Sequence, residues 1–430
     1  MRDIFGLLKH LSINPGTTYD VVSSWSARQA IDFIVAIEKS IPHSFERAAS
    51  PFEFVASRQL AGGPHPCMAM RCRMSHADAM ARYAALYADR VLIPDPFERY
   101  FDMENFDETV RFDIASDILI LFYFQPLIEQ GLIGFASSIF HFCEDCWKTL
   151  VAERRPFERR ITKVEAALKS RLLTSGKFSV RNEHGVHVVY ARGPEELIDH
   201  GSQVIVYRKP LKLRRKLTAG QSHKLTRTEA DRLKIAERFV YPVVGDIMQQ
   251  EWYGRLYGSK YVTDRSIDFD ILRVLESGAV GRHSDALMEG LKHVVPVIAN
   301  APLKTLLKLR AHEGDAFRVY RDSISQVLRD AKSVDPRVVR EAFDDIVRPE
   351  LNKLRVRIDN SRKAIVRELK RDLVISAGTV AIGLFGGLLP ANVGDIVSAL
   401  GGLKFAHSVL DKAIKLREEP EEAKGNSYYF

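Results

Sequence analysis

The chain has 430 residues, 46% of them hydrophobic and 27% charged, which excludes disorder as the main state and leaves room for two or three domains. Lysine and arginine outnumber the acids, 63 to 55, for a net charge of +8. That excess favours anionic partners such as nucleic acid or an acidic membrane surface but says nothing about fold. Four cysteines in so long a chain exclude a disulfide scaffold and fit reduced thiols in the cytoplasm. The opening MRDIFGLLKHLSINPG lacks the continuous apolar core of a secretory signal, so the expected location is cytoplasmic, with peripheral membrane attachment on activation.

Residues 26–38 read as an amphipathic helix. Ser26 and Gln29 have capping-box spacing, and Ala27, Ala30, Ile31, Ile34 and Ile37 form one apolar face. After the Gly/Pro punctuation of 61–66, a second helix is expected from Ser75, with Met80, Tyr83, Ala84 and Tyr87 as its stripe. It runs into Val91-Leu92-Ile93, closed by Pro94 and Pro96, which reads as a buried strand. Residues 118–124 (ILILFYF) are too short to span a bilayer and read as core, continued by 127–135. A charged helix follows over 161–173.

At 177–190 the period changes to two on either side of RNEHG, a β-hairpin signal, and Val204–Tyr207 offers a third strand. From about 229 onward the pattern reads as helix, with Asp335-Pro336 a start signal. The expected fold is therefore mainly α with a small antiparallel β insertion, and without the strand–helix alternation of a doubly wound sheet. Expected boundaries are an α-rich domain over 1–175, the β insertion over 176–209, a basic connector over 210–228 and a helical C-terminal domain over 229–430. An apolar hairpin occupies 373–410.

Three features carry chemistry. His141, Cys143 and Cys146 have the spacing to hold a structural zinc, the only cofactor the sequence offers, with core thiols as the competing reading. A redox reading of the same pair requires a preceding strand and a helix opening at the first cysteine. The stretch 208–227 holds eight basic residues and no acid, among them Arg208, Lys209, Lys212, Arg214, Arg215 and Lys216. These suit phosphate contacts with nucleic acid or lipid headgroups, and a solvated linker is the alternative. From Leu373 to Gly394 no residue is charged. Gly383, Gly386, Gly387 and Pro390 there read as part of a helical hairpin with small residues at close-packing spacing. It is either the packed end of a helical domain or a conditional membrane-inserting element.

Asp264, Asp268 and Asp270 are close enough in sequence to hold a divalent ion, but fit helix-start positions better. Arg181, His184 and His187 carry no nuclease signature on strands. No phosphate loop or nucleophile elbow is found.

The segments YADRVLIPDPF (87–97) and PLIEQGLIGF (126–135), the CxxC of 143–146 and the terminal Tyr428-Tyr429-Phe430 together resemble, in general style, large bacterial proteins of no assigned activity, and accessory bacterial proteins of this kind often belong to conflict or stress systems. That resemblance implies a role in stress or antiviral defence and transfers no catalytic residue. The leading expectation is a non-enzymatic effector acting by self-association, or by protein or anionic-membrane contact, through the hairpin. A nucleic-acid-associated protein using the connector comes second. An enzyme whose site is gathered from distant segments comes third.

Overall fold

The computed structural model describes residues 4–271 apart from 42, 45, 47, 51, 65–66, 137–139, 141, 199–200, 208–209, 214–216, 264, 266 and 269–270. Beyond them it describes 296–299, 302–330, 345–346, 349–350, 352–354, 356–357, 374–377 and 381–383. Three helices open the chain, α1 (Ile4–His10), α2 (Thr18–Ser23) and α3 (Ala27–Glu38). The capping box at Ser26 and Gln29 is formed, and Ala30, Phe33, Ile34 and Ile37 are buried on one face of α3.

Strand and helix then alternate. β1 (His43–Ser44) and β2 (Glu53–Ala56) are followed by α4 (Met70–Tyr87), β3 (Arg90–Pro94), α5 (Glu108–Ile128) and β4 (Ile133–Ala136). Helix α4 begins five residues before the expected Ser75, because Ala69 already supplies an extended N-terminal residue. The core run 118–124 lies inside α5.

A second unit follows. The long α6 (Glu144–Ser175) leads into β5 (Lys177–Glu183), β6 (Val186–Arg192), β7 (Ser202–Tyr207) and β8 (Ser222–Lys224), then α7 (Arg227–Arg232) and α8 (Ile235–Tyr257). The four strands form an antiparallel sheet in the order β7-β6-β5-β8. The expected hairpin is present, with Glu183 opposite Val186 and the turn made by His184 and Gly185, both at positive φ. Two such residues twist the turn in the same sense as its strands. Phe178, Val180, Val189 and Ala191 on the inner face pack with Ile161, Val164 and Leu168 of α6 and Val240 and Val244 of α8.

The chain next returns to the first sheet through β9 (Lys260–Thr263). The remaining described elements are β10 (Pro296–Ala299), α9 (Leu303–Asp330), β11 (Val374–Ala377) and β12 (Ala381–Gly383). The first sheet has the order β1-β4-β3-β2-β9-β12, parallel from β1 to β9 with β12 antiparallel at the edge. One face, with Phe54, Ala56, Val91, Ile93 and Phe135, packs beneath α4 and α5. The other, with Val55, Leu92 and Ala136, packs beneath Tyr253 and Tyr257 of α8.

The fold is thus mixed α/β with a parallel sheet covered on both faces, and this corrects the expectation of a mainly α chain. Its strands have two to five residues, and the central β2, β3 and β4 are buried on both faces, so no in–out alternation reveals them. A second correction concerns 229 onward, which contains strands as well as helices. A third concerns the apolar hairpin: its described part is strand, with Val297 opposite Ser376 in β10–β11 and Ile382 opposite Val262 in β12–β9. The β-branched Val374 and Ile375 favour that geometry. Gly386, Gly387, Pro390 and the Asp335-Pro336 start signal lie outside the described residues. Among the described residues no helix is long and apolar enough to cross a membrane.

Protection from hydrogen exchange should follow this layering. Amides of β3, central in the parallel sheet, should exchange about 100-fold or more slowly than those of β8, a three-residue edge strand. Peptide-resolved hydrogen–deuterium exchange reads the difference directly.

Candidate functional site at the carboxyl edge of the parallel sheet

Helices α4 and α5 link β2 to β3 and β3 to β4 across one face, whereas α8 delivers β9 to the other side of β2 across the opposite face. The direction of winding therefore reverses between β2 and β9. In open α/β sheets the crevice beyond the carboxyl ends at such a reversal is where ligands bind. Here it is built from the segment after β2 (Ser57, Arg58, Gln59), the segment after β3 (Asp95, Glu98), the segment after β9 (Arg265, Asp268) and the upper half of α8 (Asp246, Gln249, Gln250).

The loop after β2 is tightly folded. The Gly63 amide donates to the Arg58 carbonyl at 2.7 Å, and a Cβ on Gly63 would lie 2.6 Å from that oxygen, so only glycine fits the return. Arg58 itself is exposed. Its Nε donates to Gln249 Oε1 at 2.7 Å and stands 3.9 Å from Asp246 Oδ1. Arg265, almost fully buried, bridges Asp246 at 2.7 Å and Asp268 at 2.9 Å. Burial pushes the Asp246 carboxyl above its usual range, and Arg265 acts against that rise. Asp268 Oδ2 also accepts from Tyr261 at 2.6 Å and Thr263 at 2.8 Å. Its one partnered oxygen thus serves protein donors rather than an ion, while Asp264 and Asp270 lie outside the described residues.

Across the crevice, Asp95 is fixed by the Phe97 amide at 2.8 Å and meets His43 Nε2 at 2.8 Å. One turn on, Glu98 is half-buried. Burial raises its carboxyl above the ordinary range, and Asp95 adds to the rise, while Arg58 and His43 oppose it. Burial likewise pushes the Tyr253 phenol up, with the negative charge of Glu98 adding to it.

Both loops that carry Arg58 and Glu98 are tied to Asp117 on α5. Arg73 of α4 donates to the Gly62 carbonyl at 2.7 Å and to Asp117 Oδ1. Arg99 and Tyr100, next to Glu98, each donate to Asp117 Oδ2 at 2.7 Å. Arg73 and Asp117 are each 2% exposed, so this pair is held in a low-dielectric interior. Gln250 Nε2 donates to the Ala56 carbonyl at 2.9 Å at the end of β2. Three buried side-chain oxygens around this crevice, Gln59 Oε1, Gln250 Oε1 and Asp268 Oδ1, have no hydrogen-bond partner among the described residues. Buried acceptors left this way cost free energy until a donor reaches them.

None of these residues except Asp268 stands out in the sequence, because four separated segments supply them. The expected sites lie elsewhere. Cys143 and Cys146 are exposed at the start of α6, which corrects the reading of them as core thiols. His141 lies outside the described residues, and among those described no group of three or more potential ligands gathers around a metal position.

Of the basic connector, Arg208, Lys209, Arg214, Arg215 and Lys216 lie outside the described residues. Lys212 is exposed, and its carbonyl accepts from Arg232 at 3.3 Å. The described remainder is not a free linker: Leu211, Leu213 and Leu217 pack against the second core, and Ser222–Lys224 is β8. His187 is buried and accepts the Leu211 amide at 2.8 Å. Gly383 lies in β12. Compared with known protein families, curated proteins and solved structures, the chain matches none.

Two measurements follow from this geometry. Asp117→Asn leaves the buried Arg73 guanidinium without its counter-charge and should cost about 3–5 kcal/mol, read as a lowered urea midpoint. Glu98 behaves oppositely. The folded chain holds its proton more tightly than the unfolded chain, so ionising it costs stability as pH rises from the ordinary value of 4.5 through the raised one. Glu98→Gln should therefore melt above the parent at pH 8, with the two converging toward pH 4.

Proposed function

We propose that this chain is an enzyme that acts on a small phosphorylated sugar or nucleotide at the carboxyl edge of its parallel sheet, with Glu98 as general acid. The observation that carries the reading is the pairing, across one crevice, of an exposed arginine with a carboxyl held toward its neutral form. A guanidinium open to solvent recognises phosphate or carboxylate. A carboxyl whose pKa is raised by burial is suited to deliver a proton to a leaving group. The His43–Asp95 pair stands beside Glu98 and can orient water or a substrate hydroxyl.

The substrate class follows from what the walls lack. The unpartnered atoms of Gln59, Gln250 and Asp268 are buried acceptors, and a ligand carrying donors would suit any of them that a movement of the walls uncovers. Sugar hydroxyls and base amino groups donate, and an attached phosphate would meet Arg58. A water beside His43 and Asp95 would add its oxygen to the sugar carbon as the old bond breaks, Glu98 would protonate the departing oxygen or nitrogen, and the proton lost by the water would return through solvent to the Glu98 carboxylate. This is the third of the three roles expected from sequence, a site assembled from distant segments. The effector and nucleic-acid readings rest mainly on positions outside the described residues.

The test is a thermal-shift panel of inorganic phosphate, sugar phosphates, mononucleotides and dinucleotides against the full chain. A ligand at about 100 times its Kd adds about 2.7 kcal/mol, a rise of several degrees for a protein of this size. The rise should vanish in Arg58→Glu. It should persist in Glu98→Gln, in which hydrolysis of the same ligand, followed by chromatography, should fall about 100-fold or more. A panel in which no member shifts the parent, or a hit whose turnover survives Glu98→Gln, removes the proposal.

A further inference from the structure

The CxxC of residues 143–146 plays no part in the crevice, yet the structure gives it the context that a reactive dithiol requires. Strand β4 ends at Ala136, and α6 opens at Cys143, which is its N-cap: the Cys143 sulfur accepts the Cys146 amide at 3.4 Å. The dipole of a 32-residue helix, Glu144–Ser175, points its positive end at that sulfur. Backbone N–H groups of the first turn, that of Cys146 foremost, hold the Cys143 thiol below its ordinary value, while its hydrogen bond to Cys143 holds the Cys146 thiol above. One sulfur is thus prepared as nucleophile and the other keeps its proton for a later step.

A second feature, independent of the helix end, surrounds the pair. Phe142 and Trp147 flank the motif in sequence and are 39% and 47% exposed. They pack together at 6.1 Å and stand 6.2 and 6.4 Å from Trp252 of α8, with Phe140 at 6.2 Å from the same ring. Phe142 and Trp147, exposed and next in sequence to the two exposed thiols, thus form with the partly buried Trp252 and Phe140 an aromatic rim at the start of α6, and an exposed apolar patch marks a contact surface. Cys67 and Cys72, the other two cysteines, are half-buried, and although Cys72 lies in the first turn of α4, that helix has Ala69 rather than a cysteine as its N-cap.

We propose that Cys143 and Cys146 form a redox-active pair that exchanges with disulfide bonds presented at this aromatic rim. The Cys143 thiolate attacks one sulfur of a disulfide RSSR, forming a mixed Cys143–S–SR bond and releasing RS⁻. Cys146 loses its proton and attacks the Cys143 sulfur, closing the Cys143–Cys146 disulfide and releasing the second RS⁻. The dithiol is oxidised by two electrons, RSSR is reduced to two RSH, and the two protons leave on the two released thiols. A free thiol pool reverses the sequence.

The experiment uses the full-length protein and glutathione disulfide, with released thiol, peptide mapping and metal content as readouts. The parent should release two glutathione thiols per chain and acquire one internal 143–146 disulfide. Cys146→Ser should stop at Cys143 bearing one glutathione, with one thiol released. In the reduced parent at pH 7, Cys143 should alkylate about 10-fold or more faster than Cys67. Both cysteines are exposed, so matching far-UV circular dichroism will show that the serine variants fold. Oxidised parent with no 143–146 disulfide overturns the proposal, as does a Cys143 no faster than Cys67. So does stoichiometric zinc whose removal alone exposes both thiols. Replacing glutathione disulfide by a disulfide-linked peptide with aromatic flanks separates the two sources: faster exchange with the peptide, lost in Trp147→Ser, assigns the rim to polypeptide substrates, and equal rates assign the pair to small disulfides.

Discussion

Asp117 carries one negative charge into a region with almost no solvent, and three donors, one from α4 and two from the turn after β3, converge on it. Arg73 reaches it from α4 while also holding the Gly62 carbonyl, and Arg99 and Tyr100 reach it from the turn after β3. A buried carboxylate is tolerated only where its partners satisfy it. This one does so by pinning both walls of the crevice to a single helix. The exposed guanidinium of Arg58 and the half-buried carboxyl of Glu98 are thereby held near enough for their charges to interact. Gly63 adds a steric condition, since any side chain there would strike the Arg58 carbonyl.

Helix α8 does for the whole molecule what Asp117 does for the site. Its first half buries Phe239, Val240 and Val244 in the core of the antiparallel unit, and its last turns lay Tyr253 and Tyr257 on the parallel sheet. Between them lie Asp246, Gln249 and Gln250, which form the fourth wall. Trp252, on the same helix, supports the aromatic rim beside Cys143.

Local signals were readable and long-range ones were not. The capping box of Ser26, the buried Val91-Leu92-Ile93 and the His184-Gly185 hairpin each depend on neighbours within a few residues, and each stands as the pattern implied. The parallel sheet escaped because EFVA, IGFA and KYVT are four-residue strands set among helices of 18 to 32 residues. At Val374–Ala377 and Ala381–Gly383 the small residues suggested close helices, but they fit strands that pair with β10 and β9. The exposure of Trp147 was equally hidden, since an aromatic beside a cysteine says core by composition and surface only by position. The crevice was illegible for a different reason: Arg58, Glu98, Asp246 and Asp268 acquire meaning only once β9 lies beside β2.

That neighbour arrives late. Val55 pairs with Tyr261, so during synthesis the inner edge of β2 waits for about 200 residues to follow, on the order of ten seconds or more at the usual pace of translation. In that interval β2 is a bare strand edge, with unpaired amides that another chain could capture. The antiparallel unit of residues 177–224 pairs between near neighbours and can form first. Completed around α6, it would then hand α8 and β9 back to the waiting edge, and the nascent chain would be most open to aggregation before that step.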